Sequence, residues 1–304
     1  MTTKNKEYYN SISEDECYDI GLPEKKRFNK KKVIIALLTI IAILFCLALI
    51  MILLQKPTVK PVSEQLDEFL DKQSPNIKQS YAEKLDIKID DTIDALNLTL
   101  YVPRNAIPAV TIGSPGATNL TEEAVLAFRA ANLHADSSLV DCFVCNGVVF
   151  QPDTIFPPVH KGFCAIIDNV ITIGTAESTP LFEKAVENKG SFFRQHSLVA
   201  DSKVTANMMG EEYKTKTFRR ALCQRGNHIF VVACDDISMN RLAQALVELG
   251  VDNAIYLIAG HNQKTFNGWW RDKKGDIELF RKSDEFITYK LENYIVWKKV
   301  RAIN

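Results

Sequence analysis

The sequence predicts an α+β fold: a single mixed-sheet domain of hairpins plus about three helices, preceded by one transmembrane helix. Short turns such as Asn146-Gly147 separate apolar runs, which is typical of β-hairpins. Apolar residues recur at helical spacing between Ser238 and Gly250, which indicates an amphipathic helix. An uncharged apolar run at 33–54 predicts the membrane segment.

The run at 33–54 is long enough to cross a bilayer core of about 30 Å, since a helix rises about 1.5 Å per residue. Six basic residues lie within 25–32, whereas only Lys56 and Lys60 follow closely. This asymmetry predicts a single-pass type II protein of the inner (cell) membrane, with a cytoplasmic N-terminus and a periplasmic C-terminal domain. The long leader and the length of the run disfavour a cleavable signal peptide.

The chain is therefore predicted to have four parts. These are a disordered cytoplasmic tail at 1–32, the transmembrane helix at 33–54, a stalk at 55–92 and the folded ectodomain at 93–304. Within the stalk, Leu66, Phe69 and Leu70 are spaced for a short helix after Ser63. The chain has 37 basic and 37 acidic residues, so its charge predicts no nucleic-acid partner.

Alternation and turn signals predict the elements of the first half of the ectodomain. Asn119 with Glu122 resembles a capping pair ahead of a helix, and Pro180 occupies a favoured first helical position. The predicted elements are, in order, a strand at Leu96–Val102, a helix at Glu122–Asn132, a hairpin at Val140–Phe150, a hairpin at Asp168-Asn169 and a helix from Thr179 to Gly190.

The second half of the ectodomain carries a more regular pattern. Phe218–Cys223 and Ile229–Ala233 flank a Gly/Asn turn, which predicts an antiparallel hairpin. Ser238 is a good N-cap and Gly250 a good C-terminal glycine for the helix between them, which predicts one parallel crossover. Asn253–Ile258 then predicts a buried strand. Ligands often lie beyond such strand ends, and a strand at Asn293–Trp297 closes the domain.

From Arg219 to Gly260 the sequence has the order R-x-A-L, apolar strand, S-x3-L-A-x2-L-x2-L-G and A-I-x-L-x-x-G. This order resembles the C-terminal core of the phosphodiester glycosidase family. The uncovering enzyme of this family removes N-acetylglucosamine from a sugar phosphodiester. Weaker likeness extends over roughly residues 95–300, through Gly162–Gly174 and Ser197–Ser202. The runs RRAL, DNAIYL and GWWRD resemble a membrane-anchored bacterial subgroup that is common in gut Bacteroidetes.

The resemblance implies a carbohydrate or sugar-phosphate ligand at the loop after the buried strand. Family members have A-x-N-L-D-G-G-G-S where this chain has A-I-Y-L-I-A-G-H-N, so the D-G-G motif becomes Ile258, Ala259 and Gly260. Two functions stay open. One is a hydrolase of sugar phosphodiesters or envelope glycans with a rewired site. The other is a catalytically inactive relative that binds a glycan or an envelope partner through the same cleft.

The predicted catalytic residues are His261, Arg219 and Asn262. An imidazole supplies acid–base chemistry, although a surface-loop histidine without function is the alternative for His261. The predicted substrate-binding residues are Arg220, Tyr256, Gly260, Trp269, Trp270, Arg271 and His196.

Arg219 and Arg220 are neighbours on a predicted strand, so one is expected to face the core and the other solvent. The inward guanidinium needs a phosphate or carboxylate partner, or an internal salt bridge to Asp235 or Asp236. A tryptophan ring can stack on a sugar or fill a core, so at most one of the two tryptophans at 269 and 270 is expected to be exposed.

The sequence predicts no metal and no cofactor. The five histidines form no ligand motif, and there is no Gly-rich phosphate loop. Cys142 and Cys145 spell C-x-x-C, but residues three apart on a strand point to opposite faces. We therefore interpret them as core residues, with one disulfide left open for an oxidising compartment.

Overall fold

The computed structural model describes residues 30–54, 61–72, 79–89, 95–113, 120–154, 156–205, 210–259, 267–280 and 290–300. The chain divides into two compact units, Met1–Val59 and Lys60–Asn304. Helix α1 (Lys30–Leu54) belongs to the first unit and is described for part of its side chains. Counting described residues alone, no helix is long and apolar enough to cross a membrane. The membrane span and the cellular location stay predictions.

The first sheet of the second unit has seven strands, in the order β1-β2-β13-β12-β14-β10-β11, and every pair is antiparallel. The strands are β1 (Tyr81–Ile89), β2 (Leu96–Arg104), β10 (Ser197–Ala200), β11 (Lys203–Val204), β12 (Thr217–Arg225), β13 (His228–Ile237) and β14 (Asn253–Leu257). Helices α2 (Val62–Leu70) and α6 (Met239–Glu248) share one apolar core with this sheet.

The hairpin, helix and strand predicted between Phe218 and Ile258 are confirmed. Ser238 caps α6, because its Oγ accepts a hydrogen bond of 3.2 Å from the backbone nitrogen of Arg241. Gly250 follows the helix with a φ of +74°. Strands β13 and β14 are both antiparallel to β12, so α6 connects two strands of the same direction that β12 separates. The predicted parallel crossover is therefore present, but its two strands both pair with β12 and not with each other.

Two further sheets have five strands each, again with antiparallel pairs only in the described ranges. The second sheet, in the order β16-β15-β4-β17-β3, contains β3 (Ala106–Ile112), β4 (Ala124–Arg129), β15 (Gly268–Arg271), β16 (Ile277–Leu279) and β17 (Asn293–Lys299). The third, in the order β6-β5-β9-β7-β8, contains β5 (Phe143–Cys145), β6 (Val148–Gln151), β7 (Gly162–Ile167), β8 (Val170–Thr175) and β9 (Ser191–Gln195). Three antiparallel sheets therefore replace the single mixed sheet of the prediction.

Most local predictions for these two sheets are confirmed. Asn146-Gly147 is the turn between β5 and β6, and Asp168-Asn169 is the turn between β7 and β8. The remaining helices are α3 (Leu120–Glu123), α4 (Leu181–Glu187), which follows the predicted Pro180 start, and α5 (Glu211–Lys214). Cys142 and Cys145 pack in different core clusters, as the strand geometry predicts.

The helix predicted at Glu122–Asn132 is wrong. Helix α3 ends at Glu123, and the next six residues form β4, which lies between β15 and β17 in the second sheet. All six residues of β4 are buried. A short apolar run does not by itself distinguish a buried strand from a buried helix, and packing on both faces of β4 outweighs the capping signal.

The segment predicted as a stalk contributes two elements to the second unit. Leu66 and Leu70 of α2 are buried in its core, and β1 pairs with β2 over its whole length. Arg104 joins both elements, because it donates 2.9 Å from Nη1 to the Leu70 carbonyl and forms an ion pair of 3.0 Å with Glu83. The compact unit begins at Lys60, well before residue 93.

Candidate active site

A polar cluster lies where β9 passes into β10, and His196 is its central residue. The backbone nitrogen of His196 donates to Oε1 of the buried Gln195 at 2.9 Å. The carbonyl of His196 accepts from the backbone nitrogen of Tyr256, on β14, at 2.9 Å. The second bond joins the residue that follows β9 of the third sheet to β14 of the first sheet, and so fixes the backbone of His196.

His160 and Asp141 form a buried pair beside His196. Asp141 Oδ2 accepts from the backbone nitrogen of His160 at 2.7 Å and from its Nδ1 at 3.0 Å. An ionised carboxylate only accepts hydrogen bonds, so this contact assigns the imidazole proton to Nδ1 and leaves Nε2 as the acceptor. Asn132 Nδ2 lies 3.4 Å from that Nε2. An imidazole oriented by a carboxylate in this way has the geometry of a general base.

The two imidazoles meet edge to face, with ring centroids 4.2 Å apart and an interplanar angle of 84°. The hydroxyl of Tyr213, on α5, lies 2.8 Å from Nδ1 of His196. Burial, followed by the proximity of His160 and of Arg219, lowers the pKa of His196 to about 3. His196 is therefore uncharged at neutral pH and acts as a polar, hydrogen-bonding group.

The lowered pKa of His196 makes a prediction about stability. Below pH 6.5 the unfolded chain binds a proton at this histidine and the folded chain does not, so the free energy of unfolding falls as the pH drops from about 6.5 toward 3. We expect this one group to contribute up to about 1.4 kcal/mol per pH unit. Urea titrations between pH 7.5 and 5 measure it.

The matched variants for this measurement are His196→Asn and His134→Asn, since His134 is exposed. We expect the difference in unfolding free energy between wild type and His196→Asn to shrink as the pH falls. His134→Asn removes an exposed histidine and serves as the comparison for the same measurement. A difference for His196→Asn that does not depend on pH would contradict the buried, uncharged state of this residue.

Arg219 brings a buried positive charge to the cluster, since only 3% of its surface is exposed. Its Nη2 donates to the carbonyls of Glu212 at 2.8 Å and of Thr215 at 3.0 Å, which fixes α5 and with it Tyr213. Its guanidinium lies 5.7 Å from the centre of the Tyr256 ring. Among the described residues, Nε has no hydrogen-bond partner and no carboxylate forms an ion pair with Arg219. An anionic group is the natural partner for such a charge.

Arg220 lies outside this cluster. It is fully buried, donates 2.6 Å from Nη1 to the carbonyl of Asn267, and lies 4.8 Å from the ring centres of Phe218 and Phe280. The expectation that one of the two arginines faces solvent is therefore wrong. Strand β12 is central in its sheet and packs on both faces, so neither side of it reaches water.

The other predicted site residues are placed apart from His196. Trp269 is fully buried beside Tyr294, which leaves no face of its ring for a sugar. Trp270 is half-buried, and Arg271 donates 2.7 Å to the carbonyl of Gly275 in the turn after β15.

Gly260, His261 and Asn262 lie outside the described residues, so their roles stay predictions. Of the predicted site residues, the structure brings His196, Arg219 and Tyr256 together.

Sequence reasoning missed five members of the cluster: Asp141, His160, Asn132, Gln195 and Tyr213. Asp141 and His160 are 19 residues apart and meet through the fold, so no spacing in the sequence marks them. One signal was present. Gln195-His196 places an amide and an imidazole between two apolar strand segments, where polar side chains need buried partners.

No protein-family model matches the chain, and no curated protein matches it in sequence. The fold is similar to the zebrafish N-acetylglucosamine-1-phosphodiester alpha-N-acetylglucosaminidase catalytic domain auto-inhibited by its pro-peptide. The TM-score is 0.52 at 11% identity, and the match covers 76% of this chain and 86% of that chain. A hypothetical protein from Synechocystis has a TM-score of 0.47 at 11% identity, over 72% of this chain and 62% of that chain. At this identity the first likeness shows that the chain shares the fold of a phosphodiester glycosidase domain.

Proposed function

We propose that the chain is a hydrolase of sugar phosphodiesters and that the cluster around His160 and His196 is its active centre. The observation that carries the proposal is the buried His160–Asp141 pair, packed at 4.2 Å against a second, uncharged imidazole. The shared fold supports the reaction class by analogy. We also propose that the chain is a member of the membrane-anchored bacterial subgroup that its sequence resembles.

Each residue has a defined role in the proposed reaction. Nε2 of His160 takes a proton from water, the water oxygen bonds to the anomeric carbon, and the electrons of the broken carbon–oxygen bond pass to the phosphate. Asp141 holds Nδ1 and stabilises the charged imidazole that forms. Arg219 compensates the phosphate charge, and His196 with Tyr213 hydrogen-bonds the sugar. A phosphate leaves readily, so the reaction needs little acid assistance.

The test is the release of free sugar from sugar phosphodiesters by the purified full chain. The substrates are N-acetylglucosamine 1-(methyl phosphate) and its glucose and mannose analogues, with each sugar 1-phosphate monoester as a comparison. The proposal predicts catalytic release from at least one diester. If none of the diesters is cleaved, the proposed hydrolysis is wrong.

A second candidate is a catalytically inactive relative that binds the same kind of ligand. Two observations favour it: Ile258 and Ala259 follow β14 where the family has Asp and Gly, and the cluster is buried and largely hydrogen-bonded within itself. This candidate predicts saturable binding of a diester without release. It also predicts that Arg219→Met weakens that binding, since the arginine would compensate the phosphate charge.

The location is a proposal as well, resting on the apolar run at 33–54 and its basic flank. We expect the full chain to stay with membranes after carbonate extraction and a chain lacking 1–59 to be released, since the second compact unit begins at Lys60. Protease added outside the cytoplasmic leaflet should digest the second unit and spare the N-terminal tail. Release of the full chain by carbonate would contradict the anchor.

A further inference from the structure

A cavity of about 780 Å³ lies between the first sheet and β16, and none of the residues lining it belongs to the His160–His196 cluster. Residues of β2 and β13 line one side, and Glu278–Phe280 line the other. Its volume is within the range of small-ligand sites, about 300–1,000 Å³. The proposed hydrolysis makes no use of this cavity, so its lining needs a separate explanation.

Tyr101 points to a ligand in the cavity. The residue lines the cavity, is 7% exposed, and its hydroxyl has no hydrogen-bond partner among the described residues. Burial, followed by the nearby Glu278 carboxylate, raises the pKa of Tyr101, so the hydroxyl keeps its proton and can donate. The hydroxyl oxygen is not one of the fully buried polar atoms without a partner, so it opens to the cavity and can donate to a bound molecule.

Aromatic rings and a positioned carboxylate surround this hydroxyl. The ring of Phe280, which lines the cavity, stands edge-on to Tyr101 with centroids 5.0 Å apart. Phe218 lines the same cavity. Trp270 donates 3.1 Å from its indole nitrogen to Oε2 of Glu278, which fixes that carboxylate at the wall. Trp270 therefore acts by positioning Glu278.

The lining offers both hydrogen-bond donors and acceptors. Its carboxylates are Asp235, Asp236 and Glu278, and its cationic side chains are Lys84, Lys216 and Arg241. Two of these cations are also paired with carboxylates outside the lining, Lys84 with Asp86 at 3.6 Å and Arg241 with Glu248 at 2.9 Å. Donors and acceptors side by side suit a ligand whose hydroxyl groups both donate and accept.

We propose that this cavity is a second, non-catalytic binding site for a neutral carbohydrate. Phe218 and the edge of Phe280, whose face stacks on Phe128 with ring centroids 4.6 Å apart, contact the apolar face of a sugar ring. Glu278 accepts hydrogen bonds from the sugar hydroxyls, and Tyr101 donates to one of the sugar oxygens. The site is independent of the proposed hydrolysis, because none of its lining residues belongs to the His160–His196 cluster.

The test is calorimetric titration of the full chain with N,N′-diacetylchitobiose, cellobiose and maltotriose, with saturation-transfer NMR to confirm weak binding. We expect at least one of these sugars to bind. Glu278→Gln and Tyr101→Phe should each weaken it by about tenfold, since each variant keeps the side-chain shape and removes one hydrogen bond to a charged or buried group. Glu187→Gln, at an exposed carboxylate on α4, is the matched control and should bind as the wild type does.

Three outcomes would overturn the proposal. These are no binding of any of the three sugars, equal affinity in the wild type and both variants, and displacement of the sugar by spermidine, which would make the cavity a cation site. His160→Asn separates this proposal from the proposed function. That variant should lose release of sugar from phosphodiesters and retain binding of the neutral sugar.

Discussion

Replacing His160 by Asn is expected to lower the release of sugar from a phosphodiester by a factor of about 10²–10⁴, the usual contribution of a general base. The asparagine amide can occupy the position of Nδ1 and donate to Asp141, as the imidazole does at 3.0 Å. The variant therefore removes Nε2, the atom that takes the proton, and keeps the buried hydrogen bond. Initial rates at saturating substrate measure the effect.

Two further variants make this expectation specific. Asp141→Asn removes the carboxylate charge and lets an amide donate toward Nδ1, which favours the other tautomer of His160, so we expect a loss of similar size. His134→Asn, at an exposed histidine, should keep full activity. Thermal unfolding checks that each variant is folded. A folded His160→Asn protein with rates within threefold of the wild type would exclude His160 as the base.

The elements with strong local signals were predictable from the sequence. Asn146-Gly147 and Asp168-Asn169 have the residues that tolerate positive φ in tight turns, and Ser238 offers a capping oxygen. These features act within a few residues, so the pattern alone indicates them. Ala124–Arg129 could not be assigned in this way. Its strand state depends on β15 and β17, which lie far along the chain.

The candidate site was predictable only in part, for a related reason. The family resemblance led to Arg219 and Tyr256, which lie on adjacent strands and meet in the cluster. Asp141 precedes β5 and His160 precedes β7, and these two strands lie on either side of β9 in the third sheet, so only the assembled sheet brings the residues together. The burial of both arginines also depends on the sheet as a whole. Strand alternation alone does not show whether a sheet is covered on one face or on two.

Replacing Gly268 by Ala is expected to destabilise the fold by about 3 kcal/mol or more. Gly268 opens β15 with a φ of +104°, which side chains of L-residues rarely adopt. A Cβ at this position would also overlap the carbonyl oxygen of Ala127, in the central strand β4. This neighbour is backbone of a fully buried strand, so relief requires a shift of the β4–β15 pair and of the buried Trp269 that follows.

Gly275→Ala is the matched control, since Gly275 has a φ of +99° and an added Cβ would meet nothing within 4 Å. We therefore expect Gly275→Ala to lower the free energy of unfolding only by the cost of positive φ for an L-residue, about 1–2 kcal/mol. The difference between the two variants therefore measures the overlap with β4, and we expect it to be about 2 kcal/mol. Urea unfolding followed by tryptophan fluorescence is suited to this comparison, because all three tryptophans lie in β15 and β17. Equal losses of stability in the two variants would mean that β15 does not approach β4 as closely as the structure places it. The hydrogen bond from Arg220 to the carbonyl of Asn267, the residue before Gly268, would then need another geometry.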